Sequence, residues 1–299
     1  MSKDTHNDPD GSANGFSESW LALREPADHL ARDTALGDSL SFWFKQQAAQ
    51  NIVEMGAGTG SNLRYLMPKL GQDQRWLLLD NDAVLFDRLP EILRSWAGTH
   101  NVHFSCVDDL IRLEHADFSA TVVRKVVNLA SQLDEVSLDN VQLITASALL
   151  DLTSAQWLST LAKKIYSSEC ACLFALNYDG KIRWRPEIDA DGTISKLLNE
   201  HQLNDKGFGT AKGPDAGKYF AQALTQLGRR VAIGQSDWVI QPQSDQLQLA
   251  IIDGWAPAAR EQADKADDLI SAWHTERKLS INQQNSTLVV GHIDILSLP

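Results

Sequence analysis

Short apolar runs alternate along the chain with stretches whose apolar residues recur at helical spacing. Continuous apolar runs of this length predict strands buried in a sheet, because a strand covered on both faces has few polar positions. Helices are predicted between them, for example over Ala83–Trp96 and Ser154–Tyr166. The alternation predicts an α/β fold with a mostly parallel, doubly wound sheet and helices on both faces. The five predicted strands lie within Ile52–Met55, Arg75–Asp80, Ala120–Leu129, Val141–Asp151 and Ala171–Tyr178.

The C-terminal part of the chain changes pattern. After a predicted helix over Lys218–Leu227, the segments Arg229–Ile240 and Thr287–Leu298 alternate between apolar and polar residues, which predicts two further strands. The helical span Gln243–Ile281 separates them. Together with the five earlier runs these strands make a seven-stranded sheet. We interpret residues 17–299 as a single domain, which is long enough to bury a full core.

The segment before the third strand is too long for one connection. Alternating apolar residues occur over Val102–Cys106, and a second extended run begins after Asp117. We interpret this segment as an added β-hairpin that leads into the strand Ala120–Leu129. The alternative takes Val102–Cys106 as the third strand and places Asp108 at its ligand-facing end.

A glycine-rich turn follows the first predicted strand, in the sequence IVEMGAGTGSNL from Ile52 to Leu63. Glycine allows a sharp turn and leaves space for a ligand, so this is either a nucleotide-type pocket or an ordinary strand-to-helix turn. The dinucleotide fingerprint GxGxxG needs its third glycine where Ser61 stands, so the pattern here is GxGxG. Glu54 also puts a carboxylate beside the loop, and a carboxylate repels a phosphate and attracts a cation.

This set of residues resembles the cofactor motif of class I S-adenosylmethionine-dependent methyltransferases. The resemblance implies that the acid and the glycines face the methionine end of S-adenosylmethionine, which carries an ammonium and a sulfonium. It implies that Asp80 accepts the ribose hydroxyls, as in NAD proteins too, unless it only caps the next helix. It implies that Asn128, where the family often has Asp, binds the adenine amine, and that the last strand is antiparallel. The implied cofactor-binding residues are Glu54, Met55, Gly56, Ala57, Gly58, Gly60, Asn62, Asp80, Asn81, Asn128, Leu129, Ser147 and Arg24.

Two features precede the first strand. Residues 1–16 are polar and rich in Asp, Asn, Ser and Gly, which predicts a disordered tail. The next segment, Trp20–Phe44, has a helical pattern that Pro26 is expected to break. Its charged residues form either a solvated helix face or part of a lid, and the methyltransferase resemblance favours a helical lid over residues 17–50. Those charged residues are Arg24, Glu25, Asp28 and Arg32.

Composition excludes some partners. Lys and Arg total 27 against 39 Asp and Glu, so the formal net charge of −12 opposes binding to DNA or bulk RNA. Three cysteines suit a reducing compartment without a disulfide framework, and Cys170 and Cys172 are expected to be packing residues. No apolar stretch suggests a signal peptide or a membrane span, which predicts a cytoplasmic protein.

The acceptor side of the site is less specific in sequence. Tyr178 and His201 are the predicted catalytic residues, with Asp151 and Asp179 as further candidate bases at the carboxyl ends of strands. Ala146–Leu150 lacks the Asn/Asp-Pro-Pro-aromatic loop of methyltransferases that act on planar amines, so such acceptors are disfavoured. We expect a small-molecule acceptor and no metal. Aromatic residues that would suit an apolar or heteroaromatic acceptor are Trp20, Tyr178, Trp184 and Phe208.

Two other functions stay open at this point. One is a NAD-dependent oxidoreductase on a similar sheet, and the other is a non-catalytic protein that binds S-adenosylmethionine and regulates a partner. The sequence makes no prediction about the oligomeric state or about which atom is methylated.

Overall fold

The structure, a computed structural model, describes residues 17–71, 73–263 and 265–299. The disordered tail predicted over residues 1–16 therefore lies outside the described residues. A single ten-stranded sheet forms the centre of the described part. Its strands are β1 (Asn51–Met55), β2 (Gln74–Asp80), β3 (His103–Val107), β4 (Leu110–Glu114), β5 (Ser119–Val126), β6 (Leu143–Ser147), β7 (Ala171–Arg185), β8 (Arg230–Gln235), β9 (Trp238–Ile240) and β10 (Thr287–Leu298).

Helices pack on both faces of this sheet. Several begin at side-chain caps that the sequence supplies, such as Ser17, which accepts from the Trp20 N–H, and Asp82, which accepts from two N–H groups of its helix. The helices are α1 (Glu18–Ala31), α2 (Thr34–Phe44), α3 (Ser61–Leu70), α4 (Ala83–Thr99), α5 (Leu129–Gln132), α6 (Ala155–Ser168), α7 (Asp191–His201), α8 (Ala216–Gln226), α9 (Asp245–Arg260) and α10 (Asp267–Asn282).

The strand order confirms the predicted doubly wound sheet. The order is β3-β4-β5-β2-β1-β6-β7-β10-β8, and β9 pairs with β10. Strands β5, β2, β1, β6 and β7 are mutually parallel, while β10 is antiparallel to β7. The chain reverses direction across the sheet at β1, so the carboxyl ends of β1 and β6 border the crevice where ligands of open α/β sheets bind.

The added hairpin is also confirmed. β3 pairs antiparallel with β4, β4 pairs antiparallel with β5, and β5 runs parallel to β2 as the third strand of the core sheet. The alternative in which Val102–Cys106 is the third strand is therefore wrong. Besides the two hairpin strands, the structure contains one strand that the sequence did not predict, β9. The predicted strand Arg229–Ile240 is interrupted at Ser236 and Asp237, which divides it into β8 and β9, and both of these strands pair with β10.

The N-terminal helices differ from the prediction in one respect. Pro26 lies inside α1 and does not break it. Proline removes one backbone hydrogen bond, but the neighbouring Glu25 is anchored by an ion pair with Arg64 of α3, and Arg24 pairs with Asp28 one turn later. The break comes after Ala31 instead, where Asp33 caps α2 by accepting from the Leu36 N–H.

The roof over the carboxyl edge of the sheet comes from elements distant in sequence. Helices α7, α9 and α10 pack with the second half of β7, with β9 and with β10 in one apolar cluster, and Trp20 and Leu23 of α1 join it. Two further apolar clusters lie beneath α6 and α8 and beneath α2, α3 and α4. This arrangement leaves a space between the roof and the carboxyl ends of the strands.

Candidate active site

The glycine-rich turn has the backbone that its sequence requires. Gly56, Gly58 and Gly60 all have positive φ angles, of 63°, 50° and 78°. A side chain at these positions would be strained whatever the space around it. A Cβ on Gly58 would lie 3.4 Å from Leu21 Cδ1 of α1, whereas one on Gly60 would lie 2.8 Å from Leu89 Cδ1 of α4. Gly58 is thus covered by the N-terminal helix, and Gly60 allows α3 and α4 to pack together.

Asp80 ties the end of β2 to the glycine turn. Its Oδ2 accepts from the Gly58 N–H at 2.7 Å, and its Oδ1 accepts from the Asp82 N–H at 2.9 Å. Burial raises the pKa of Asp80. The helix cap is Asp82, two residues later, so Asp80 is not needed to cap α4. The position leaves Asp80 at the border of the crevice with lone pairs that remain available to a ligand.

Glu54 is a buried carboxylate at the end of β1. Its side chain is 1% exposed, and its Oε2 atom has no hydrogen-bond partner among the residues that the structure describes. Burial raises its pKa to about 8, although Arg32 and Arg64 lie near enough to oppose that rise. Both guanidinium groups already have acidic partners, Asp294 for Arg32 and Glu25 for Arg64. Glu54 therefore has a carboxyl group whose ionised form a cationic ligand would stabilise.

A cavity of about 1230 Å³ contains these groups. Most of the predicted cofactor residues line it, which brings together segments from β1, β2, β5 and β6. Two do not: Met55 lies in the apolar core because its side chain points to the opposite face from Glu54, and Gly60 serves helix packing. The predicted residues that line the cavity are Glu54, Gly56, Ala57, Gly58, Asn62, Asp80, Asn81, Asn128, Leu129, Ser147 and Arg24.

Three of these residues have local partners. Asn128 caps α5 by accepting from the Ala130 N–H at 3.0 Å, so its amide oxygen already makes one hydrogen bond. Asn62 accepts from Arg32 at 2.8 Å. Arg24 does not lie at the glycine turn: it pairs with Asp28 in the other half of the cavity, and its guanidinium lies 5.0 Å from the centroid of the Trp238 ring.

The two predicted catalytic residues both border the cavity. The Tyr178 hydroxyl donates to Asn199 Oδ1 at 2.8 Å, and burial raises its pKa. His201 Nε2 lies 3.0 Å from Glu261 Oε2 and 3.4 Å from Lys206 Nζ, and burial lowers its pKa. Both side chains thus already have hydrogen-bond partners. Because its raised pKa keeps the Tyr178 hydroxyl protonated, Tyr178 is poorly suited to act as a base.

The part of the cavity lined by Arg24, Tyr178 and His201 also contains polar residues that were not among the predicted site residues. Asp151, which the sequence offered only as a further candidate base, follows β6, lines the cavity and has an unpartnered Oδ1 within the described part of the chain. Trp238 donates to Asp28 at 3.0 Å, and the ring of His292 lies 5.1 Å from that of Trp238. The signal in sequence was a histidine on a mostly apolar strand, since buried polar residues are informative. Of the four predicted aromatic residues, Trp184 does not line the cavity.

The backbone around this half is irregular. Ala148 and Leu176 have φ angles of +52° and +53°, and both line the cavity. The pairing of β10 with β7 shifts register between Val290 and His292, and both of these residues line the cavity. Strained non-glycine residues cluster at ligand sites, which supports this cavity as the functional site.

Neither a group of metal-binding side chains nor a membrane-spanning helix is found among the described residues. Across residues 17–71, 73–263 and 265–299, no three His, Cys, Asp or Glu side chains are grouped so that they could hold a metal ion. No helix within those ranges combines the length and apolar character needed to cross a bilayer.

Solved structures share this fold. A cyclopropane-fatty-acyl-phospholipid synthase-like protein from Lactobacillus casei aligns with a TM-score of 0.52 and 12% identity, over 96% of this chain and 96% of that chain. A methyltransferase from Thiobacillus denitrificans, in complex with S-adenosylhomocysteine, is 12% identical over 95% of this chain and 99% of that one, with a TM-score of 0.43. The cyclopropane synthase MmaA2 from Mycobacterium tuberculosis is 10% identical over 94% of both chains, with a TM-score of 0.46.

No protein-family model and no curated protein matches the chain. The strand order and the alignment with the Lactobacillus casei protein nevertheless confirm the predicted resemblance at the level of the fold. The chain has the Rossmann-like fold of class I S-adenosylmethionine-dependent methyltransferases.

Proposed function

We propose that the protein transfers a methyl group from S-adenosylmethionine to a small-molecule acceptor. The observation that carries this proposal is the buried Glu54 carboxylate, whose Oε2 lacks a partner among the described residues and which borders the cavity beside the glycine turn. An ammonium group placed there would provide the missing partner. A dinucleotide pyrophosphate would instead bring negative charge toward Glu54 and Asp80.

The residues of the cavity would supply a partner for each part of S-adenosylmethionine. Glu54 would bind the ammonium of the methionine part, and Asp80 would accept the ribose hydroxyls through lone pairs that its backbone contacts leave free. Asn128 would accept from the adenine amine, with Leu129 against the ring. When bound, the cofactor supplies an activated methyl group on a sulfonium, so the protein mainly needs to align the acceptor with that methyl.

The cavity is large enough for a second ligand. Its volume of about 1230 Å³ exceeds the roughly 300–1,000 Å³ that is usual for a pocket holding one ligand. Side chains of α1, α7 and α9 line the part away from the glycine turn. A roof of this kind favours a small acceptor over a polymer, and the net charge of −12 disfavours nucleic acid. Helix α1 would act as a lid over the cofactor, because its Leu21 side chain covers Gly58.

Calorimetric titration with S-adenosylhomocysteine tests the proposal. Wild-type protein should bind it, and Gly58→Val should abolish binding because the side chain would be strained at φ +50° and would fill the space under Leu21. Gly98→Val is the matched control, since nothing lies within 4 Å of a Cβ at that position on α4. The proposal fails if the wild type does not bind S-adenosylhomocysteine, or if Gly58→Val binds it with unchanged affinity.

The two other functions give different results. A NAD-dependent oxidoreductase would show energy transfer from its tryptophans to added NADH. A non-catalytic protein would bind S-adenosylmethionine but would not form S-adenosylhomocysteine with any acceptor.

A further inference from the structure

Asp151 lies close in sequence to a residue that contacts the glycine turn. It is in a short 3-10 turn, Leu150–Leu152, that follows β6. Leu149, two residues before Asp151, contacts the glycine turn, since a Cβ on Gly56 would lie 3.4 Å from Leu149 Cδ1. The turn is therefore adjacent to the methionine end of the proposed cofactor site, and Asp151 itself lines the same cavity.

The Asp151 carboxylate is buried without a full set of partners. Its side chain is 7% exposed, and no described residue hydrogen-bonds its Oδ1 atom. Burial raises its pKa to about 6, and a backbone hydrogen bond from Tyr178 only partly opposes this. Because an ionised carboxylate in such a place is costly, it indicates a ligand that donates hydrogen bonds or carries positive charge.

The other charged groups of this half do not neutralise Asp151. Arg24 is close enough to lower its pKa, but Asp28 binds that guanidinium with two hydrogen bonds of 2.9 and 3.1 Å. Lys206 contacts His201, and Glu261 lies near both. His292 is held neutral, since burial lowers its pKa to about 3. Among the described residues of this part of the cavity, Asp151 thus carries a negative charge that no ion pair balances.

Aromatic side chains line the cavity that contains this carboxylate. The ring of Tyr178 lies 6.1 Å from that of His292, which in turn packs 5.1 Å from Trp238. Trp20, Phe208 and Trp255 line the same cavity. Aromatic faces bind both apolar groups and cations. The wall therefore suits a ligand with an apolar body and one cationic end.

We propose, on the basis of the proposed methyl transfer, that the acceptor is a basic amine with an apolar or aromatic body and that Asp151 binds its nitrogen and takes up its proton. The amine enters as an ammonium and gives one proton to Asp151 Oδ1. The freed lone pair forms the new N–C bond while the C–S bond breaks and its electron pair stays on sulfur. The product leaves as a methylated ammonium, and Asp151 releases its proton to solvent.

This acceptor differs from the planar amines that the sequence disfavours. Amide and nucleobase nitrogens carry no positive charge, and they need acceptors arranged in the plane of the amine. A basic amine needs one carboxylate and a route for one proton. Asp151 provides both functions from one side chain.

Probe binding to the complex with S-adenosylhomocysteine tests the inference. The probes are 2-phenylethylamine, 2-phenylethanol and 3-phenylpropionate, which share an aromatic body and differ at the polar end. Wild-type protein should bind the amine more tightly than the other two, and Asp151→Asn should weaken amine binding roughly tenfold to a hundredfold, as expected for hydrogen bonds to a charged group. Asp151→Glu keeps the charge and should retain part of the preference.

Controls separate the role of Asp151 from a general effect. Asp179→Asn is the matched control, since Asp179 adjoins Tyr178 but pairs with Lys181 and does not line the cavity. It should keep the amine preference. Asp151→Asn should keep its affinity for S-adenosylhomocysteine and its melting temperature, because the change removes a buried charge.

Formation of S-adenosylhomocysteine from S-adenosylmethionine and 2-phenylethylamine gives a second readout. Its kcat/KM should fall as pH drops below about 6 in the wild type, because protonated Asp151 cannot take the proton. The groups that act on Asp151 in this titration are Arg24, the Tyr178 side chain, and the backbone N–H groups of Asp151 and Tyr178. The Asp151→Asn variant should lose this dependence.

The outcomes distinguish the two proposals. If S-adenosylhomocysteine does not bind, the proposed methyl transfer fails and this inference fails with it. If S-adenosylhomocysteine binds but the amine shows no preference over the alcohol, or no probe binds at millimolar concentration, only the amine inference is overturned. An amine preference that survives in Asp151→Asn overturns the role of Asp151.

Discussion

Binding of the cofactor product should release protons from Glu54. Burial raises the pKa of this carboxyl to about 8, so about nine-tenths of the molecules carry a proton there at pH 7 before any ligand binds. The ammonium of S-adenosylhomocysteine favours the ionised form, because an opposite charge a few ångströms away lowers a carboxyl pKa. We therefore expect the release of close to one proton per ligand at pH 7, and of about one-tenth of a proton at pH 9.

Calorimetry in several buffers measures this number directly. The observed binding enthalpy changes linearly with the ionisation enthalpy of the buffer, and the slope is the number of protons exchanged. Glu54→Gln keeps the shape of the side chain and removes its titration, so its slope should approach zero at pH 7. The variant should also bind more weakly by about 1.5–3 kcal/mol, the range for hydrogen bonds to charged groups.

Asp80 is the other acid in this half whose pKa is raised, again by burial. The difference between wild type and Glu54→Gln isolates Glu54, because Asp80 is present in both proteins. A wild type that releases no proton at pH 7 would show that Glu54 does not meet a cation. Equal release by the two proteins would assign the proton to another group.

Two further predictions concern the same pair of acids. Asp80→Ala should weaken S-adenosylhomocysteine by about 1.5–3 kcal/mol in calorimetry, since the ribose hydroxyls would lose a charged acceptor, and unchanged affinity would contradict its position at the ribose. The stability of the ligand-free protein should fall between pH 4.5 and 8 through Glu54, because the folded carboxyl, with its raised pKa, binds a proton that the unfolded one has already released. Urea unfolding gives the free energy of unfolding at each pH, and its slope against pH should differ between wild type and Glu54→Gln by about 1.4 kcal/mol per pH unit in that window. Parallel curves for the two proteins would contradict a raised pKa of Glu54.

The convergence of Glu54, the glycine turn and Asp80 at one edge of the sheet could be predicted because its determinants are local in sequence. Glu54 and the glycines belong to one strand and the turn after it, and Asp80 ends the neighbouring parallel strand. Parallel strands bring their carboxyl ends to one edge, so strand order alone assembles these residues. The order itself follows from continuous apolar runs that only a doubly covered sheet can bury.

The acceptor half could not be predicted in the same way. Asp28 and Trp238 share a hydrogen bond across 210 residues of sequence, and no local pattern marks either side chain. His292 lies near Tyr178 and Trp238 only because β10 pairs with both β7 and β9, and the sequence of β10 does not reveal those partners. The failure at Pro26 has a related cause, because contacts with α3 override the local preference of proline.

The two halves of the cavity present the same physical feature. Glu54 and Asp151 are both buried carboxyls with a raised pKa, and each has one oxygen without a partner among the residues described. Each makes the ligand-free protein less stable than an apolar residue of similar size would. Proteins retain such costs at sites where binding relieves them. One such carboxyl in each part of the cavity therefore favours two cationic groups, the methionine ammonium at Glu54 and the acceptor amine at Asp151. Transfer of the methyl group from the sulfonium to that amine would leave the sulfur neutral and the positive charge on the nitrogen, next to Asp151.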